Sequence, residues 1–125
     1  MLDEKNLTTA ELVEAIFADV DAMNADTFVA HLTPDGRFQF GNGEPIIGRQ
    51  AIRDYVAGFF SSINGLRHTV TSIFQQENVI TVELSIDYTR KDGKVVTLPC
   101  ANTFRMEGPL VRDYRVFIDV TPIFA

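Results

Sequence analysis

Cysteine is almost absent. Cys100 stands alone, so no intramolecular disulfide framework is available, and a reducing compartment, the cytoplasm, is the expectation. Tryptophan is missing, and the only histidines are His31 and His68. Without H-x-E or C-x-x-C spacing, no metal site is expected. Basic residues are in deficit: 11 Lys+Arg against 17 Asp+Glu give a net charge of −6 and a pI of about 4.7. That balance opposes nucleic acid or an anionic membrane as the partner. No apolar run approaches the roughly 18 residues of a membrane span. The segment Met1–Lys5 is charged with no apolar stretch behind it, so no secretory signal is expected. Phosphate-binding glycine loops and the G-x-S-x-G nucleophile turn are also missing; Gly41-Asn42-Gly43 lacks the rest of such a motif. No cofactor is expected.

What is present suits a globular fold. The 125 residues are 46% hydrophobic and include ten phenylalanines, enough for one self-sufficient domain spanning 1–125. Thr8 and Glu11 have capping-box spacing, and Leu12, Val13, Ile16, Phe17, Val20 and Met23 then recur at helical intervals. Glu11, Glu14, Asp19 and Asp21 form the wet face of that helix. Asp26 can cap a short second helix carrying Phe28, Val29 and Leu32. Pro34-Asp35-Gly36 reads as a turn, 37–40 as a strand, and Gly41–Pro45 as a loop. A third helix follows Gly48, with Ile52, Tyr55, Val56, Phe59, Phe60 and Ile63 on one side and Asn64-Gly65 as a left-handed cap. From there the period falls to 2, and 67–76, 79–90, 95–106 and 110–120 read as strands joined by turns at 76–78, 91–94 and 107–109. Helices grouped before strands imply an α+β architecture: three N-terminal helices packed on a curved, mostly antiparallel sheet enclosing a pocket. Phe17, Val20, Phe28, Leu32, Ile52, Val56, Phe59 and Phe60 are the expected core against that sheet.

Several local motifs, in this order, resemble a known family. They are His31-Leu32-Thr33-Pro34-Asp35-Gly36-Arg37-Phe38, Ile47-Gly48-Arg49-Gln50-Ala51-Ile52, His68-Thr69-Val70, Tyr88 before Lys91-Asp92-Gly93, Gly108-Pro109-Leu110 and Tyr114-Arg115-Val116-Phe117-Ile118-Asp119. The chain resembles the SnoaL-like group of the nuclear-transport-factor-2-like superfamily, which includes ketosteroid isomerases, polyketide cyclases and limonene epoxide hydrolases. The resemblance implies a cone-shaped fold, a pocket for a small apolar molecule, and a homodimer through the sheet. It also implies that Asp119 takes the place of the last-strand acid/base of the cyclases and Asp87 that of a mid-strand carboxylate of the hydrolases. The sequence departs from those relatives elsewhere. Phe40 stands where the isomerases carry their base, Ile16-Phe17 where they carry a tyrosine, and Ser85 where the hydrolases carry an arginine. The cyclases' partnering histidine has no match, although Arg105 lies nearby.

The candidate residues each admit two readings. Asp119, within Val116-Phe117-Ile118-Asp119-Val120, is either a desolvated acid/base with a raised pKa or a carboxylate binding N–H groups at a strand end. His68 has the right chemistry for proton transfer or is structural. Asn102, the strong polar group on the apolar face of 95–106, binds a ligand or a neighbouring strand. Asp87 belongs to the polar stripe of 79–90, which lines a pocket or faces outward. Arg115 pairs with Asp119, or with Asp113 or Glu83. Tyr55 and Phe59 are expected to line the substrate pocket. Cys100 reads as inert core, and His31 as a partner of a helix C-terminus. Two functions remain open: an acid–base enzyme of the isomerase, cyclase, dehydratase or hydrolase type acting on a small apolar molecule, or a non-catalytic binding or dimeric accessory domain.

Overall fold

The first helix opens on its capping box. The Thr8 hydroxyl accepts from the Glu11 N–H at 3.1 Å, and the Thr8 N–H donates to Glu11 Oε1 at 3.1 Å. The structure is a computed structural model describing residues 7–125; the segment Met1–Lys5, read above for a missing secretory signal, lies outside them. The elements are α1 (Thr9–Asp21), α2 (Ala25–Val29), β1 (Leu32–Phe40), β2 (Ile46–Ile47), α3 (Arg49–Phe60), β3 (Gly65–Gln76), β4 (Val79–Thr89), β5 (Val95–Glu107), β6 (Leu110–Phe117) and α4 (Thr121–Phe124). The strands form one sheet in the order β2-β1-β6-β5-β4-β3. Only the β1–β6 pair is parallel; the other neighbours run antiparallel. This is the expected α+β cone, an open curved sheet with helices on its inner face.

Alternation sends Ile80, Val82, Leu84, Ile86 and Tyr88 of β4 inward, with Leu98, Cys100, Asn102 and Phe104 of β5 and Tyr114 and Val116 of β6. They meet Val13, Ile16 and Phe17 of α1, Phe28 of α2, and Ile52, Val56 and Phe60 of α3. Of the expected core, Val20 and Phe59 are only partly buried.

Several local expectations need correction. Asn24, not Asp26, caps α2, its Oδ1 accepting from the Thr27 N–H at 3.1 Å, and Leu32 belongs to β1. Pro34-Asp35-Gly36 does not end a segment; it is an irregularity inside β1, where the register with β6 shifts between Leu32 and Arg37. There the missing Cβ of Gly36 permits close approach to the Thr33 carbonyl. α3 closes at Ser61 in the right-handed region, its N–H bonded to the Ala57 carbonyl, and Gly65 instead starts β3. The hairpin at Asp92-Gly93 forms as expected, with φ +87° at Gly93. β6 stops at Phe117, short of the expected 120, and the chain turns into α4. No helix among the described residues is long and apolar enough to cross a membrane.

Candidate functional site

Between the helices and the sheet lies a small cavity of about 50 Å³. Its wall is largely aromatic: Phe28, Phe38, Phe40, Phe59, Tyr88 and Tyr114 all contribute. Most of their rings pack edge-on or tilted, with Phe28–Tyr114 at 5.2 Å, Phe40–Phe59 at 5.0 Å and Phe59–Tyr88 at 6.0 Å, while Phe38 and Phe40 stack. Polar groups on the wall come from His68 of β3, Tyr88 of β4, Asn102 of β5, Tyr114 of β6 and Tyr55 of α3.

His68 is held from behind. Its Nδ1 lies 2.5 Å from Asp21 Oδ1, and its backbone N–H reaches both carboxylate oxygens at 3.1 Å. A carboxylate only accepts, so Nδ1 carries a proton, and the neutral tautomer that fits this contact has its lone pair on Nε2. Phe17 stacks on the imidazole with centroids 4.4 Å apart, fixing the ring plane.

Asn102 is 1% exposed, and its Oδ1 accepts weakly from the Cys100 thiol at 3.5 Å. Asn102, Tyr88 and Tyr114 line the same cavity. Burial pushes both phenols well above their ordinary range, so they stay protonated and can donate. Burial likewise pushes the Cys100 thiol up to about 12, which removes it as a nucleophile. The site therefore offers one base and several donors in a dry, aromatic setting, a combination suited to moving a proton while an oxygen gains negative charge.

The structure distributes the sequence candidates unevenly. His68, Asn102, Tyr55 and Phe59 all border the cavity. Asp119 does not: it lies beyond the end of β6, exposed, on an outer groove of about 700 Å³ that shares Phe40, Tyr55 and Phe59 with the cavity. The expected rise in its pKa is reversed. Hydrogen bonding to Thr121, including the Thr121 N–H at 3.0 Å, holds the carboxyl below its ordinary range and outweighs the opposing desolvation. Asp87 faces outward and accepts from the Thr97 hydroxyl on β5 at 2.6 Å. Arg115 also lies on the outer face and pairs with Asp113, which binds Arg37 as well. Asp87 and Arg115 fall outside the cavity because alternation fixes their face, and inward positions on β6 are 114 and 116. His31 pairs at 2.7 Å with Asp19, a side chain on the last turn of α1, not with the end of its own short helix.

Asp21, Tyr88 and Tyr114 were not among the candidates. The tyrosines' inward parity was legible, whereas nothing local distinguishes Asp21 from its solvated neighbours. Among the described residues, no cluster of three or more His, Cys, Asp or Glu could hold a metal ion.

The model of the SnoaL-like domain matches residues 13–114. No curated protein matches the chain in sequence. Similar solved structures include a hypothetical protein with a ketosteroid isomerase-like fold from Catenulispora acidiphila, in complex with trimethylamine. It is 20% identical, with a TM-score of 0.84 over 93% of this chain and 91% of that one. An LEH-like epoxide hydrolase from M. tuberculosis is 17% identical, with a TM-score of 0.74 over 90% and 84%. The epoxide hydrolase/cyclase-like enzyme SalBIII, connected with pyran ring formation in salinomycin, is 18% identical, with a TM-score of 0.77 over 90% and 91%. At these identities the likeness speaks to the fold.

Proposed function

The chain belongs to the SnoaL-like family, and on that premise we propose that it is a cofactor-independent acid–base enzyme acting on a small, largely apolar carbonyl compound. The observation carrying this reading is the Asp21–His68 pair at the wall of the aromatic cavity. His68 Nε2 removes a proton next to the carbonyl. Asn102 and the Tyr88 hydroxyl donate to the oxygen as charge develops there, and the imidazolium then returns the proton elsewhere on the substrate. Isomerisation, cyclisation and dehydration all begin with that step. A protonated phenol and a neutral amide stabilise an enolate by hydrogen bonding, and among the described residues neither cavity nor outer groove is lined by Lys or Arg. The trimethylamine complex of the Catenulispora protein supports a small-molecule ligand for this fold.

A cytoplasmic homodimer is the assembly we propose. Phe117 and Val95 are 54% and 61% exposed, and Phe117 sits opposite Ala101 in the middle of the outer sheet face. A free, buried Cys100 suits a reducing compartment.

A second reading, a non-catalytic binding domain, is favoured by the small cavity and by the position of Asp119 outside it. One assay separates the two. The protein is incubated in D2O with a panel of small cyclic ketones and enones, and loss of α-protons is followed by 1H NMR. The enzyme reading expects accelerated exchange that falls by at least about 10²-fold in His68→Gln and persists in Asp119→Asn. Ligand-induced shifts without any exchange would favour the binding domain.

A further inference from the structure

The Asp21–His68 pair borders more than the cavity. His68 also lines a groove of about 360 Å³ on the far side, between α1 and β3, walled by Ala10, Glu14, Ala18, Asp21, Val70 and Ile73. The His68 side chain is only 6% exposed, whereas that of Asp21 is 29% exposed. We propose that Asp21 positions His68 and gives its proton a passage to solvent through this rear groove, separate from the aromatic mouth through which substrate arrives. The proposal rests on the acid–base reading of the same site.

The placement of Asp21 is not explained by helix stability. It is the last residue of α1, where the helix dipole disfavours a carboxylate, and the last turn carries no basic residue. Its oxygens are instead engaged by His68, through the ring and the backbone N–H. The charged and titratable groups that share the two spaces with His68 are Glu14 and Asp21 from α1, Tyr55 from α3, Tyr88 from β4 and Tyr114 from β6; Asn102 of β5 is neutral. Among the described residues no Lys or Arg lines either space to compete for the carboxylate. The mouth is closed differently, by Phe40, Tyr55 and Phe59, which border both the cavity and the outer groove.

The proton balance is direct. A substrate proton bonds to Nε2 while its electron pair stays on the substrate, giving imidazolium. The Nδ1 proton then passes by way of Asp21 to a groove water, and its electron pair stays on Nδ1. The ring ends neutral with the former substrate proton on Nε2; uptake of a proton at Nδ1 by the reverse route restores the imidazolium, which returns the Nε2 proton to the substrate while the mouth remains shut. Nothing is oxidised or reduced.

The test needs no substrate. In protein labelled with ring-15N histidine, exchange of the His68 ring N–H with water is measured by NMR. Ala18→Trp fills the rear groove from an exposed helical position. Gly58→Trp fills the outer groove, where an added Cβ meets open space. Ala18→Trp is expected to slow exchange about tenfold or more, with Gly58→Trp close to the parent. Slowing by Gly58→Trp alone, or by neither, overturns the passage. Asp21→Asn supplies the positioning readout. Its Oδ1 satisfies the His68 backbone N–H, which turns the amide N–H toward Nδ1 and moves the ring proton to Nε2, visible in the 15N shifts. An unchanged tautomer would overturn the positioning role. These readouts do not depend on turnover, so they fail or succeed independently of the ketone exchange assay.

Discussion

Two phenylalanines of similar sequence context should differ sharply when truncated. Phe17 is 4% exposed, contributes to the floor of the rear groove, and packs against the His68 ring at 4.4 Å and the Phe104 ring at 6.3 Å. Removing it leaves a cavity inside packed surroundings, and Phe17→Ala should cost about 3–5 kcal/mol. Phe59 touches Phe40, Tyr88 and Phe124, but it borders the inner cavity on one side and the open groove on the other. Many of its atoms have no packing partner to lose, so Phe59→Ala should cost only about 1–2 kcal/mol. For a chain of this length about 3–5 °C of melting temperature accompanies each kcal/mol. Phe17→Ala should therefore melt roughly 9–25 °C lower and Phe59→Ala roughly 3–10 °C lower. Urea unfolding monitored by circular dichroism gives the same comparison, with unchanged m-values showing that only stability moved. Equal losses, or the larger loss at Phe59, would refute the reading that Phe59 is a wall between two spaces and not a core residue.

Cys100, with its thiol pushed up to about 12 by burial, should resist a disulfide reagent at neutral pH in the folded protein and react promptly once urea unfolds it. Rapid labelling of the native state would contradict that burial. If two chains pair through the outer sheet face, sedimentation at micromolar concentration should give twice 14.0 kDa, and Phe117→Lys should shift the protein toward the monomer. A parent protein sedimenting only at 14.0 kDa would remove the dimer.

Much of the fold follows from local signals. The capping box at Thr8 and Glu11, the helical recurrence of Leu12, Val13, Ile16 and Phe17, the Asp92-Gly93 turn and the alternation along 79–90 and 95–106 each depend on residues within a few positions of one another. Sequence alone therefore determined the order of the main elements, without β2 and α4, the division of β4 and β5 into two faces, and the placing of Asn102 and Cys100 on the same face; which face of β4 points inward was left to the tertiary structure. The site was only partly determined this way. His68 and Asn102 were legible as chemically notable residues, but their sharing of one cavity depends on the path of the sheet. The partner of His68 is 47 positions away, at the end of α1, and only the packing of that helix against β3 selects Asp21 from a row of exposed acids. Asp119 illustrates the reverse case. Its apolar neighbours suggested a desolvated carboxylate, yet β6 ends at Phe117, the chain turns, and the carboxylate spends its hydrogen bonding on Thr121 in solvent. Burial is a property of what lies across space, and so the charge state and reach of a carboxylate were decided by tertiary structure alone.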